Sequence, residues 1–312
     1  MKWDDRIGRR LRLKDLHTLQ TVAEVGSMAK ASKRLALSQP AISKAISEME
    51  HVLGTPLLDR SSRGVALTDC GRLLVERTRI VFDEITQGVS DIAQLSDPTC
   101  GIVKIGTTEP AAGVVSEIIS RLAGQYPRLT YDVVISDRDT LIGELRQRSR
   151  DVVVTRWAPP PMADDLSVQT LFRSSLAVMA AHGHPLLRRK KLSLAELMNE
   201  RWTLSPPDSF LGRVVVDLFR RRKLPLPPAV VTTISIHMRL DLLANGGFLT
   251  ILPAQMIRSP AHRAWLCALD VDLHDTSQPV ASITLKKRRV GGAVRLFEQA
   301  SLDVCKTMAR GQ

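Results

Sequence analysis

No stretch of this 312-residue chain approaches the roughly 18 consecutive apolar residues that a membrane span requires. The first 14 residues carry Arg6, Arg9, Arg10 and Arg12 and lack the apolar core of a signal peptide, so a cytoplasmic protein without membrane attachment is expected. Cysteine is scarce. Cys70, Cys100, Cys267 and Cys305 are scattered without metal or redox spacing, which reads as reduced thiols. Catalytic signatures are missing too, with no nucleophile elbow, P-loop or full dinucleotide fingerprint. His182-Gly-His184 is the close histidine pair, and Pro185 after it suggests a loop rather than a metal site, which would need further ligands. We therefore expect no enzyme, no metal and no cofactor.

Acidic residues are outnumbered, 32 against 44 Lys and Arg, for a net charge of +12, which favours a polyanionic partner. The excess is uneven. Residues 1–96 hold 15 basic against 12 acidic side chains, and residues 97–312 hold 29 against 20. A hydrophobic content of 44% and the chain length suit a globular protein of about two domains.

The most informative stretch is residues 27–53. Two short helical patterns meet there across a tight break. Ala31 and Leu35 share one face of the first. The second opens at Ser38, a good N-cap, with Pro40 in the first turn, where its missing N–H costs nothing. Ile42, Ala45, Ile46, Met49 and Leu53 form its apolar stripe, and Gln39, Ser43, Lys44 and Ser47 its other face. A helix with short hydrogen-bonding groups outward, preceded by a helix and a turn, suits the major groove of DNA. Ser27, Lys30, Ser38, Gln39, Pro40, Ser43, Lys44 and Ser47 are the candidate DNA contacts. The alternative is an ordinary surface helical hairpin.

Around this stretch, residues 13–25 pattern as a helix ended by Gly26, with Leu16, Leu19, Val22 and Ala23 inward. Residues 57–68 read as a hairpin whose basic tip, Arg60 and Arg63, can meet phosphates or the minor groove. Thr68 and Asp69 then open a long helix to about residue 95. Leu74, Thr78, Val81, Ile85, Gly88, Ile92 and Leu95 alternate at spacings of four and three, a heptad seam best buried against a second copy. Leu74, Val81, Ile85, Ile92 and Leu95 are the candidate dimerisation residues, and two-fold symmetry would offer two recognition helices to two half-sites.

These residues together resemble the LysR-type transcriptional regulators. The resemblance rests on Leu13-Lys-Asp-Leu-His-Thr-Leu19, on Gly26-Ser27 with Ala31, and on Leu35-x-x-Ser38-Gln39-Pro40-Ala41-Ile42-Ser43. Glu50-x-x-Leu53-Gly54 and Arg60-x-x-Arg63-Gly64-Val65-x-Leu67-Thr68-x-x-Gly71 continue it. Ser32, Lys44, Leu58 and Cys70 depart from the family's usual alanine, arginine, phenylalanine and alanine; Lys44 bears on base preference, because lysine lacks arginine's fork.

The remainder alternates strand and helix after a linker at residues 96–101. Strands at 102–105, 131–135 and 151–155, with helices at 110–125 and 140–148, imply a parallel doubly wound sheet. Arg156-Trp-Ala-Pro-Pro-Pro161 looks like a crossing to a second lobe, which includes a strand at 167–172, and a return crossing is expected near Trp265.

The expected fold is thus an N-terminal winged helix-turn-helix (residues 11–68, mostly α) and a dimerisation helix (69–96). An α/β two-lobed effector domain (101–306) follows, of the periplasmic-binding-protein-like kind that the resemblance implies. Its first lobe is 101–156 with 266–306, and its second 157–265.

In doubly wound sheets ligands sit beyond the carboxyl ends of strands, near helix N-termini. That rule, and the cleft implied by the resemblance, select Thr107, Thr108 and Glu109 before Pro110, and Thr155 and Arg156 at the hinge. Arg156 is expected to pair with an anion, with Glu109 or with an inter-lobe carboxylate. Ser205, Ser209 and Phe248 form the expected opposite wall, with Trp157 and Trp202 as stacking or core residues. The basic runs at 188–191, 220–223 and 286–289 are expected on surfaces, as solvated ends or as contacts to flanking DNA.

The resemblance implies a transcriptional regulator that binds double-stranded promoter DNA as a homodimer or homotetramer. It would answer to a small metabolite, a small carboxylate or aromatic by the resemblance and a sugar by the N-terminal arm and the Thr107-Thr-Glu-Pro110 loop, and act on RNA polymerase. A ligand-binding module using its winged helix only for dimerisation, and a regulator needing no ligand, are the competing readings.

Overall fold

The structure, a computed structural model, describes residues 10–61, 64–97, 99–157, 163–258 and 262–310, with 60–61, 94–96, 258 and 307–310 described by backbone alone. Most of the basic N-terminal arm, Arg63 and the proline run 159–161 lie outside the described residues, as do the side chains of Arg60 and Leu95. The chain divides into two compact units, Met1–Val89 and Ser90–Gln312.

The first unit opens with α1 (Leu13–Val25), α2 (Met28–Leu35) and α3 (Gln39–Leu53). Each boundary has a local cause. Gly26 stops α1 at φ 64°, and its N–H bonds to the Val22 carbonyl. Ser27 and Ser38 cap α2 and α3, accepting from the Lys30 and Ala41 amides. Gly54 ends α3 at φ 69°. Leu19, Val22, Ala31, Ile42, Ile46 and Met49 meet in one buried core with Leu57. Burial of each large apolar side chain there stabilises by about 1.5–3 kcal/mol, so the amphipathic stripes decide the packing.

The wing is an antiparallel pair, β1 (Leu58–Ser61) and β2 (Gly64–Leu67). Glu50 fastens it to α3. Its Oε1 accepts from the Leu57 and Leu58 amides at 2.8 and 3.2 Å. Thr68 Oγ1 accepts from Gly71 N–H at 3.0 Å and donates to the Pro56 carbonyl at 2.8 Å. This opens α4 (Asp69–Ser96). A Cβ at Gly71 would lie 2.1 Å from the Leu57 carbonyl oxygen, so no side chain is tolerated there.

The heptad residues of α4 split in two. Leu74 packs partly buried against the domain's own core beside Val75 and Phe82, and Thr78 is buried. Leu74 therefore belongs to the core rather than to a free seam, because the first turns of α4 must cover the hydrophobic ends of α1 and β2. Val81, Ile85 and Ile92 are 40%, 44% and 67% exposed, and Val89 beside them 63%.

The second unit holds two lobes. The first is a five-stranded sheet in the order β4-β3-β5-β12-β6, where β3 is Gly101–Thr107, β4 Leu129–Ile135, β5 Val152–Arg156, β6 Leu166–Ser174 and β12 Gln278–Leu285. As expected, β3 runs parallel to β4 and β5. The sheet is mixed, however, since β12 is antiparallel to both β5 and β6. Helices α5 (Ala112–Gln125) and α9 (Gly292–Arg310) cover one face through Val103, Ile105, Ile118 and Phe297; α6 (Arg138–Arg146) covers the other through Leu141, Leu145, Val153 and Ile283. Residues 152–154 alternate between these two cores, which is why the strand reads as an unbroken apolar run.

The second lobe contains a three-stranded sheet, β7 (Leu176–Ala181) between β10 (Thr250–Pro253) and β11 (Leu266–Ala268), and a parallel pair, β8 (Trp202–Leu204) with β9 (Ala229–Thr232). Helices α7 (Phe210–Arg221) and α8 (Ile236–Gly246) pack on these strands. Both lobe boundaries differ from the sequence expectation. Strand β6 belongs to the first sheet, so the crossing falls between Ser174 and Leu176 rather than at 157. Strand β11 pairs with β7 and stays in the second lobe, so the return comes after Ala268. Neither strand's own residues label its sheet; the partner's free edge decides.

Two basic runs are tied down on the surface, Arg189 to Glu196 and Arg221 and Arg222 to Asp275. Arg288 of the third run departs from the expectation. It is buried, pairs with Asp151 at 2.8 Å and donates to the Arg150 carbonyl at 2.8 Å, while Asp151 also accepts from the Lys104 amide. Among the described residues no helix is long and apolar enough to cross a membrane.

Candidate nucleic-acid interface and effector cleft

Within the first unit, α3 sends Ile42, Ile46 and Met49 inward and leaves Gln39, Pro40, Lys44 and Ser47 exposed, with Ser43 half-buried. Ser38, also exposed, has its oxygen engaged by the Ala41 amide, as has half-buried Ser27 by Lys30. Each keeps its hydroxyl proton for a phosphate or base edge. Lys30 is exposed one turn into α2. Lys44 meets Glu48 at 3.9 Å with both side chains mostly in solvent, a pairing worth little and readily exchanged for a phosphate. The predicted face of α3 is thus largely exposed along one capped helix.

In the second unit a cavity of about 550 Å³ opens between the lobes. The first lobe supplies Thr108, Glu109, Asp137, Thr155 and Arg156, and the second Ser205, Ser209 and Arg239. Ile135, Phe210, Leu211 and Ile234 give it apolar walls. Helices α6, α7 and α8 begin at its rim, capped by Asp137, Ser209 and Ser235. Close packing holds the second-lobe rim, because a Cβ at Gly212 would sit 1.8 Å from the Pro206 carbonyl oxygen.

Three guanidinium groups line the cavity; Arg138 pairs with Asp139 and stacks on Phe210, while the other two are buried. Arg156, 3% exposed, donates from Nη1 to the Ser174 carbonyl at 2.7 Å and from Nη2 to the Thr276 carbonyl at 3.1 Å; among the described residues its Nε has no hydrogen-bond partner. Arg239, 0% exposed, donates to Thr250 Oγ1 at 2.9 Å, to Ser205 Oγ at 2.7 Å and to the Ile251 carbonyl at 2.8 Å. Burial lowers each to a pKa of about 10, so both stay protonated at neutral pH. Desolvation is the main cause for Arg239, with the charge of Glu109 acting in the opposite direction.

Neither arginine forms a salt bridge among the described residues. The nearby carboxylates are committed elsewhere. Glu109 reaches across to the second lobe and accepts from the Ile236 and His237 amides at 3.1 and 3.2 Å, at the N-terminus of α8. Asp137 accepts from the Asp139 and Thr140 amides and from the Thr140 hydroxyl, which hold it below the usual aspartate range.

Of the predicted effector residues, Thr108, Glu109, Thr155, Arg156, Ser205 and Ser209 meet at this cavity. Thr108 and Thr155 share a hydroxyl contact at 3.1 Å. Ser205 accepts from Arg239, leaving its own proton to donate. Ser209 accepts from Gly212 N–H and donates to the Pro206 carbonyl.

Two predicted residues are elsewhere. Thr107 is fully buried, its hydroxyl donating to the Val154 carbonyl at 2.9 Å, because its side chain points into the sheet rather than off its end. Phe248 is buried in the second-lobe core, its ring stacked under Arg201 at 4.3 Å. Arg156 pairs with carbonyls rather than with Glu109 or another carboxylate. Trp157 and Trp202 are core residues, Trp202 donating to the Leu197 carbonyl at 2.8 Å. His184 serves as a local cap for Leu186 N–H, and no metal-binding cluster occurs among the described residues.

Arg239 and Asp137 escaped the sequence reading. For Arg239 a signal existed. Ile236, Arg239, Leu240 and Leu243 follow the spacing of a buried helical face, so a cation stands inside an apolar stripe.

Comparison with known proteins agrees with this architecture. The family model for the bacterial regulatory helix-turn-helix protein of the lysR family matches residues 13–72, and that for the LysR substrate binding domain matches residues 96–306. The chain is 30% identical over 244 residues to the HTH-type transcriptional regulator GbpR of Azospirillum brasilense, covering 78% of this chain and 71% of that protein. GbpR of Rhizobium radiobacter is 29% identical over 233 residues, 74% and 77% of the two chains. Among solved structures, full-length OxyR from Pseudomonas aeruginosa superposes with a TM-score of 0.68 at 19% identity, covering 95% of each chain. Full-length CbnR complexed with its target DNA superposes with a TM-score of 0.64 at 20% identity, over 94% of this chain and 100% of that one. These two likenesses concern the fold.

Proposed function

Because the chain belongs to the LysR family of transcriptional regulators, a DNA-binding regulator with an effector-binding domain, we propose that its effector is a small anion with an apolar body. The observation that carries this reading is the pair of buried guanidinium groups, Arg156 and Arg239, without a salt-bridged carboxylate among the described residues. A buried charge without a direct ionic partner is costly, Glu109 offsets only Arg239 and from beyond salt-bridge distance, and an anion seated in the cavity would add the missing partner for both. Thr108, Thr155 and Ser205 would hydrogen-bond its polar end, and Ile135, Phe210 and Ile234 would enclose the rest. Of the effector classes suggested by the sequence, this favours the small carboxylate over the neutral sugar. No cofactor besides the effector is proposed, and no catalytic role.

LysR regulators bind DNA and form oligomers. We infer for this chain a homodimer or a homotetramer, acting in the cytoplasm on an interrupted palindrome through residues 38–47. Exposed Val81, Ile85 and Ile92 support the paired α4 helices that this requires. Binding between the lobes would shift their closure, and through it the spacing of the DNA-reading domains and access for RNA polymerase.

The test is a thermal-shift series with small carboxylates, phosphates and neutral sugars of matched size, followed by footprinting with any ligand that binds. Carboxylates should raise the melting point, by about 2.7 kcal/mol of stability at one hundred times their Kd. Stabilisation by neutral sugars with none by anions would overturn the anionic reading while leaving DNA binding untouched.

A further inference from the structure

The modest charge of the first unit hides a local concentration. Arg10 and Arg12, just ahead of α1, stand beside Lys44, Ser47 and His51 of α3 around a groove of about 440 Å³. Lys44, Ser47 and His51 lie three and four residues apart, so they line one side of the helix. Both arginines are exposed, and among the described residues neither forms a salt bridge. Among the described residues Glu48 is the one acid lining the groove, and it meets Lys44 at 3.9 Å. Three full positive charges therefore surround a concave site next to the base-reading face. Lys44 and Ser47 belong to both surfaces.

We propose that Arg10, Arg12 and Lys44 form a phosphate clamp that grips the DNA backbone beside the major groove read by α3. This inference rests on DNA binding through α3 and extends it to a site of different chemistry. The partner follows from charge and position. A duplex seated on Gln39 and Ser43 brings its own sugar-phosphate strand alongside the next two turns of the helix, about 5.4 Å each, where these cations stand. Guanidinium groups suit phosphate because their forked N–H donors match its oxygens in pairs. Contacts of this kind set register and affinity and carry no base information.

The test compares the full-length wild-type chain with an Arg10→Gln/Arg12→Gln variant on a duplex that the wild type selects from a randomised pool. Affinity is measured across a salt series, and far-UV circular dichroism confirms equal folding. Selection of a defined sequence by the wild type establishes the reading on which the proposal rests, independently of the variant. The clamp predicts a salt slope shallower by about 0.9 for each arginine in the bound assembly, with about tenfold or greater loss of affinity at fixed salt. The sequence selected by the variant should stay the same. An unchanged slope would overturn the clamp. So would an equal loss from the control Arg220→Gln/Arg221→Gln in the second unit, which would mean a general field. A shift in A·T preference on the variant would replace phosphate contact with minor-groove reading.

Discussion

The two binding surfaces of this regulator obey opposite rules. On α3 the groups proposed to meet DNA are short, mostly exposed and mostly uncharged, and they share one helix. In the cleft the dominant groups are fully charged, buried and contributed by strands and helices far apart in the chain, Arg156 at the end of β5 and Arg239 within α8. The difference follows from who removes the water. DNA covers a large surface and desolvates the helix when it arrives, so the helix needs only shape and hydrogen-bonding edges beforehand. A small ligand supplies little surface, so its site must be dehydrated and oriented in advance, at the cost of holding unpaired charge.

The largest test strikes the assembly on which the first surface depends. Ile85→Asp with Ile92→Asp should convert the oligomer to monomers in light scattering and weaken operator binding at least about a hundredfold, since one half-site then acts alone. An unchanged mass would show that the exposed face of α4 does other work. Next comes the second surface. Arg239→Met should abolish the anion-dependent gain, about 2.7 kcal/mol at one hundred times Kd, while ligand-free DNA affinity stays near wild type. If anion response survives, Arg239 is structural and the electrostatic half of the comparison fails.

Gln39→Ala tests whether α3 reads bases. Discrimination between the selected duplex and random DNA should fall by about 1–3 kcal/mol, measured by competition binding, with the salt slope held. The smallest effect belongs to the rim of the cleft. Asp137→Ala removes the cap of α6 and should cost about 1 kcal/mol of stability at neutral pH. Hydrogen bonds lower the folded pKa of this carboxyl below the ordinary aspartate value of 3.8, chiefly through Thr140. Its contribution is therefore complete above about that value and lost as pH falls through the lower folded pKa, so the two chains should converge in acid. A difference that persists there would assign the loss to packing.

Legibility differed between the surfaces for the same reason. The face of α3 could be read because Ser38, Pro40 and the Ile42–Ile46–Met49 spacing are local signals, resolved within one helix. Thr108, Thr155 and Ser205 were reachable by a rule about strand ends, and that rule overreached by one residue at Thr107, whose alternate side of the strand faces Val154. Phe248 was misplaced because a glycine-rich turn does not reveal which side of the following strand is core.

What the sequence determined by itself is the winged helix-turn-helix and most of the later helices and strands, though not β11, because caps, glycine stops and apolar periodicities act within a few residues of one another. Tertiary structure alone decided that β6 joins the first sheet and β11 the second, that Arg288 is buried on Asp151, and that Arg10 and Arg12 stand beside Lys44. It also decided that Arg239, outwardly one more helical cation, carries its charge inside the protein. Those outcomes depend on which surfaces meet across long stretches of chain, and on a desolvation that exists only once they have met.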